Sequence, residues 1–290
     1  MPKDVASGDA IGKPSRGGTV PDCLLRHLRA CRNAILPGRR LAFRIGDATV
    51  GWVTPGFAAV LRDQPAITAG PDGLLLEAPE RLSTIARALA DAGHFRWRGE
   101  AFDVRADPDG AVLAQIDRGA LPVFGIAAVG VHVNGLVEGP DGPHVWVARR
   151  AASKNLDPGK LDHLVAGGVP AGLSPAETLV KEAAEEAAIP AALAGMAVPV
   201  GRFDYAMERP EGLRRDRILA YDLMLPEGFV PRAADGEVAG FELWPLARAL
   251  AAVRATEDFK FNVNLVLIDL FLRRGMVPAA EAGVLRAALG

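Results

Sequence analysis

The sequence predicts an α+β protein in which a small α+β accessory unit precedes an α/β/α sandwich built on a mixed β-sheet. Three observations predict it. The length, 290 residues, corresponds to about two domains at roughly 150 residues apiece. Strand-like and helix-like stretches follow one another without a strict repeat, as expected of helices layered on mixed sheets. Half of the residues are hydrophobic and 23% are charged, which supports a packed core without disulfide or zinc staples.

Residues 1–19 carry charges, Gly and Pro but no apolar run, and are expected to form a disordered leader rather than a signal peptide. Leu24, Leu28, Cys31 and Ile35 recur at helical spacing and predict a helix over 21–36. LAFRI (41–45) and ATVGWV (48–53) flank Gly46-Asp47, a hairpin signal. PGFAAVLRD (55–63) and ERLSTIARALADAG (80–93) read as helices. AFDVRAD and AVLAQID surround Pro108-Asp109-Gly110 as a second hairpin. Residues 20–120 are therefore expected to be the accessory unit, and 121–290 the main domain. In the latter, strands are expected at 123–137 and 144–149, then a glycine loop and a helix. Further strands follow near 198–206, 216–225 and 237–244, with closing helices at 262–274 and 278–289. Phe259, Phe261 and Leu265 are expected to pack the final helix against the domain.

The formal net charge of -2 argues against a generally basic nucleic-acid binder or a polybasic membrane protein. The longest uncharged run, Gly119 to Val137, approaches the roughly 20 residues of a membrane helix. Pro122, His132, Asn134 and several glycines interrupt it, so buried strands are the better reading. No nucleic-acid or membrane partner is expected. Cys23 and Cys31 stand roughly 12 Å apart along one helix, too far for a disulfide. Buried thiols in a reducing cytoplasm are expected.

The most informative segment is GGVPAGLSPAETLVKEAAEEAAI, residues 167–189. Ser174 suits an N-cap, Pro175 the first helical position, and Glu177 the third place of a capping box. Glu182, Glu185 and Glu186 follow at i, i+3 and i+4, on one face. Ala176, Val180, Ala183 and Ala187 line the other, expected to be buried. Three like charges within a turn need compensation from solvent, from Lys181 or from a divalent cation. Carboxylates are hard ligands suited to Mg²⁺ or Mn²⁺, and a carbonyl of the Gly167-Gly168 loop could complete the set. A solvated acidic face is the alternative.

This segment resembles the box of the Nudix hydrolases. It matches at Gly167, Glu182, Ala183, Glu185, Glu186 and Ile189 with the spacing intact, and departs at Leu173 (Glu in the family), Lys181 (Arg) and Ala188 (Gly). Lys181 keeps the charge without the bidentate fork. FGIAAVGVHVNG (124–135), RRAASKNLDPGKLDHLVAGG (149–168), YDLMLP (221–226), DGEVAGFEL (235–243) and FKFNVNLVLIDLFLRRG (259–275) resemble one subgroup. That subgroup is related to the Nudix region preceding thiamine pyrophosphokinase in some fungal proteins. RRLAFRIGDATVGWVTPGF (39–57) resembles its accessory domain.

The resemblance implies water-driven hydrolysis of a small-molecule diphosphate with Mg²⁺ or Mn²⁺ as cofactor. It implies Glu185 and Glu186 as principal metal ligands, a carbonyl from Gly167 or Gly168, and Glu182 as ligand or general base. Lys181 orients the acids; Glu237 or Asp235 is a rival base. The subgroup implies thiamine diphosphate or its oxidised analogues as substrate, cut to the monophosphate, and a homodimer is the assembly the family suggests. ADP-ribose, a dinucleotide or a nucleotide sugar is the rival substrate class, and a non-catalytic ligand-binding module the rival role.

Gly168 within the box, and His163, Lys154 and Arg217 outside it, are candidate substrate contacts. Lys154 and Lys160 serve equally as solvated loop lysines, and Arg214, Arg215 and Arg217 as an exposed charged hairpin loop near Glu211-Gly212. For His132 a structural hydrogen bond is expected. The five histidines lack zinc-like spacing, and no Walker loop, Gly-x-Ser-x-Gly or Gly-x-Gly-x-x-Gly occurs.

Overall fold

The computed structural model describes residues 22–71, 73–234 and 236–290; the leader expected over 1–19 lies outside them. The chain opens with α1 (Asp22–Cys31) and the hairpin β1 (Leu41–Ile45) and β2 (Ala48–Val53), turned at Gly46 with a left-handed φ of 56°. Thr54 then caps α2 (Pro55–Arg62) by accepting the Phe57 N–H. Two strands absent from the sequence reading follow, β3 (Ile67–Gly70) and β4 (Gly73–Leu76), completing a sheet of order β2-β1-β4-β3 with β4 parallel to β1. Four-residue runs are too short for alternation to register. The helix α3 (Leu82–Asp91), the hairpin β5 (Ala101–Val104) and β6 (Ala114–Asp117), and the short α4 (Leu121–Phe124) complete this part. Phe43, Val53, Leu61, Leu74, Leu82 and Phe124 lie in its core, so the start of the expected second domain packs into the first.

Beyond α4 run β7 (Ala127–Gly139), β8 (Gly142–Arg150), β9 (Leu161–Asp162) and β10 (Val165–Gly168), then α5 (Pro175–Ala187) and α6 (Ala191–Ala194). The hairpin β11 (Val198–Arg209) and β12 (Gly212–Met224) leads to β13 (Val238–Pro245), α7 (Leu246–Ala255), α8 (Val263–Arg273) and α9 (Ala279–Leu289). The sheet order is β11-β12-β7-β8-β13, mixed because β12 runs parallel to β7 while the other pairs are antiparallel. The long β7 forks: Gly130–Val133 bonds β10, and Gly135–Gly139 bonds β8. One face of the sheet packs Val131, Val133 and Leu164 against Leu179, Ala183 and Ile189. The other packs Val145, Val147 and Ile218 under Val266, Leu267 and Phe271 of α8. The result is the expected α/β/α sandwich.

Several details differ from what the sequence predicts. The first helix stops at Cys31 instead of residue 36, leaving Ile35 86% exposed. Pro37 disfavours a helical residue before it, and the chain turns to pair with β11, Ala34 N–H donating to Ala206 O and Asn33 Oδ1 accepting from Glu208 N–H. The same helix packs on α7, α8 and α9 rather than on the accessory sheet, with Leu24 and Leu28 in the sandwich core. Cys31 is buried, Cys23 only half-buried. Last, α7 was not expected: Pro245 stands at its N-cap with no side-chain cap to mark the start. No helix among the described residues is long and apolar enough to cross a membrane.

Candidate active site

The helix α5 starts as its local sequence dictates. Glu177 N–H donates to Ser174 Oγ at 3.2 Å and Ser174 N–H donates to Glu177 Oε2 at 2.8 Å, a closed capping box with Pro175 in the first turn. It ends at Ala188, whose φ of 53° is left-handed. A Cβ there costs about 1–2 kcal/mol relative to the right-handed region.

The three glutamates do not share one environment. The buried face of α5 is Thr178, Leu179, Ala183, Glu186 and Ala187, whereas Ala176 is exposed and Val180 half-buried. Adjacent residues turn by roughly 100° about the axis, so Glu185 meets solvent while Glu186 faces β10. The Glu186 carboxylate accepts the Ala166 N–H at 2.8 Å. Burial pushes its pKa up to about 8, against the opposing pull of that hydrogen bond. Half-buried Glu182 lies on Gly167, where a Cβ would come within 2.4 Å of the Glu182 carboxyl carbon. Burial raises the Glu182 pKa, opposed by Lys181. Lys181 Nζ reaches Glu185 at 2.6 Å and Glu182 at 3.4 Å, and the Glu185 bond holds its ammonium above the usual range.

Backbone orientation follows from the same hydrogen bond. In an antiparallel ladder, one residue's N–H and C=O share an edge, and edges alternate along the strand. Ala166 gives its N–H to Glu186, away from β7, so its carbonyl also faces away from β7. Gly167 turns the other way, its carbonyl oxygen lying 3.2 Å from where a Cβ on Gly130 of β7 would stand.

The remaining expected residues scatter around this centre. Lys154 forms an ion pair with Glu237; burial pushes that carboxyl up, yet Lys154 brings it below its usual range. Asp235 lies outside the described residues. Gly168 abuts Phe102, whose Cζ a Cβ would approach to 2.6 Å. Arg214, Arg215 and Arg217 lie within β12 rather than in a hairpin loop, because the ladder continues to Arg209 and Gly212. Arg217 is buried, bonded to Asp204 at 2.7 and 2.8 Å and to Asp109 at 2.7 Å. His163 points into the interior instead of towards the loop surface, its Nδ1 2.9 Å from Nδ1 of His132. Burial lowers its pKa to about 4.

Asp162 went unnoticed in the sequence. Its Oδ2 accepts from Arg150 Nη1 at 2.7 Å and lies 3.5 Å from Lys260 Nζ, and its Oδ1 accepts the His163 N–H. Burial would raise this carboxyl, but Lys260 and Arg150 drive it well below the usual range. His132, Asp162 and His163 bring three ligand-type atoms within 4.8 Å of one another. Two protein cations already neutralise Asp162, so this cluster is an ion-pair network that a metal ion would enter against repulsion. Nothing local to residue 162 announces partners at 150 and 260.

The NUDIX domain family model matches residues 129–264, and that of a domain of unknown function (DUF4743) matches residues 23–128. Two Arabidopsis thaliana proteins, "Nudix hydrolase 20, chloroplastic" and "Nudix hydrolase 24, chloroplastic", are each 36% identical to the chain, covering 86% of it and 71% of their own length. Among solved structures, that of DR0079 from Deinococcus radiodurans aligns with a TM-score of 0.46 at 24% identity, covering 58% of this chain and 97% of that one.

Proposed function

The chain belongs to the Nudix hydrolase family, and on that premise we propose that it hydrolyses a diphosphate-linked small molecule with Mg²⁺ or Mn²⁺. One observation carries the metal: Glu186 is a buried carboxyl group whose only hydrogen bond among the described residues comes from the Ala166 N–H, and among them it has no salt bridge. Burial disfavours its charged form and pushes its pKa up to about 8, a divalent cation would favour the carboxylate, and the neighbouring Glu182 and Glu185 add oxygen donors that fit a hard ion. Glu182, Glu185 and Glu186 would hold it, with the Ala166 carbonyl on the right edge of β10 in place of the Gly167 carbonyl. The ion would supply Lewis acidity towards the diphosphate oxygens and the attacking water. Lys181 would fix Glu185 in position, and Glu237, the rival base, is engaged by Lys154.

Thiamine diphosphate and its oxidised analogues are the proposed substrates, supported by the subgroup resemblance across both parts of the chain. The test follows phosphate from thiamine diphosphate and oxythiamine diphosphate, and AMP from ADP-ribose, with Mg²⁺ or Mn²⁺. Thiamine monophosphate as product is expected; AMP from ADP-ribose alone would overturn the thiamine assignment. A Glu185→Gln, Glu186→Gln double variant should be folded and inactive, and retained turnover would remove these residues from the metal site.

A further inference from the structure

We propose that the accessory unit, which the family model of a domain of unknown function matches, is part of the substrate site: Phe102 walls the leaving-group subsite and Arg118 contacts the diphosphate. This rests on the hydrolase reading above. A cleft of about 260 Å³ lies between the β5–β6 hairpin and the large sheet, lined on one side by Phe102, Arg105 and Asp109 and on the other by Val129, Leu173 and Arg217. It lies just below the roughly 300–1,000 Å³ of small-molecule pockets.

The wall is fastened to the main domain. Ala171 N–H donates to Ala101 O at 2.8 Å, joining the loop before α5 to β5. Buried Arg217 bridges Asp204 of β11 and Asp109 of the hairpin. Gly168, at the end of β10 and next to the Gly167 that abuts Glu182, leaves the space that the Phe102 ring fills. The small exposed part of Phe102, 2% of its surface, with Val129 and Leu173 opposite and the Asp109–Arg217 ion pair at the edge, makes an apolar wall with a polar rim. Leu173 occupies the first acidic place of the family box. Its side chain lines the cleft, so this departure exchanges a carboxylate for apolar contact with the leaving group.

Arg118 closes β6. Its guanidinium carbon lies 5.6 Å from the Phe102 ring centre and 3.9 Å from a Cβ position at Gly168. One nitrogen holds Glu100 at 2.8 Å, and the side chain is 51% exposed. A guanidinium has five N–H donors, so donors remain for an anion on the ring's phosphate-bearing side. Near Glu182, Arg118 supplies a cation that a diphosphate can meet directly.

The experiment uses the full chain, with kcat and KM measured on thiamine diphosphate, oxythiamine diphosphate and ADP-ribose. Arg118→Ala should raise KM about tenfold or more with kcat little changed, the loss expected for one charge-assisted contact, and Arg118→Lys should recover part of it. Phe102→Leu keeps apolar volume without the ring and should raise KM severalfold, with circular dichroism unchanged. Unaltered KM in both Arg118→Ala and Phe102→Leu, on a substrate the wild type turns over, would overturn the inference and leave the hydrolase reading intact. If the wild type turns over none of the panel, the substrate reading fails, and calorimetry with α,β-methylene-ADP and Mg²⁺ tests the cleft separately. Weaker binding to Arg118→Ala than to wild type supports the cleft; equal binding, or none to wild type, overturns it.

Discussion

The buried Glu186 carboxylate accepts the Ala166 N–H at 2.8 Å, and that bond ties α5 to the edge of β10. Glutamine can accept the same bond without bringing a charge indoors. Glu186→Gln is therefore expected to keep or raise the melting temperature in EDTA while lowering kcat/KM at least about 100-fold, since even indirect metal partners cost 10–100-fold. Melting curves with and without Mg²⁺, beside turnover, check it. A lower melting temperature in EDTA with full turnover would reverse the assignment.

Gly167 has room for Glu182 only because it lacks a side chain. In Gly167→Ala the new Cβ would stand 2.4 Å from the Glu182 carboxyl carbon, and a half-buried side chain can swing aside more cheaply than backbone can. Activity should fall at least tenfold while stability falls by no more than about 1 kcal/mol. Urea midpoints and initial rates separate the two effects. A large stability loss with normal rates would mean that Glu182 does not move.

Ala188 ends α5 with φ 53°. Ala188→Gly relieves the left-handed Cβ and should stabilise the protein by about 0.5–1 kcal/mol, read as a higher denaturant midpoint at an unchanged slope. No gain would show that the local backbone relaxes without the substitution.

His163 sets an acid limit. Burial lowers its pKa to about 4, against about 6.5 in an unfolded chain. The folded state therefore prefers the neutral ring: the stability tied to it is complete above pH about 6.5 and is lost as pH falls towards 4, on the order of 3 kcal/mol in all. Unfolding free energy measured from pH 7 to pH 4 should decline, and His163→Asn should flatten that decline whatever its effect at pH 7. An identical slope in the variant would place the acid sensitivity elsewhere.

Legibility followed the range of the interactions. Ser174, Pro175 and Glu177 were readable as a helix start because a capping box spans only four residues, and Gly46 marked its hairpin for the same reason. The helix over 21–36 ran too far in the sequence reading because β11, which captures Asn33 and Ala34, lies more than 170 residues away. The strands β3 and β4 escape local patterning because pairing, β4 with β1 in parallel and β3 with β4 antiparallel, makes them strands rather than their own alternation.

By itself the sequence determined the layered α+β architecture, the capped α5 and the spacing of Glu182, Glu185 and Glu186, all of which arise within a turn or two of chain. Only the tertiary structure decided that Glu186 is buried while Glu185 is not, and that Ala166 rather than Gly167 turns its carbonyl away from β7. It also brought Asp109 to Arg217 across 108 residues and set Phe102 and Arg118 beside the glycine loop. Helical periodicity says which residues share a face; which part of that face loses its water depends on the strand packed against it.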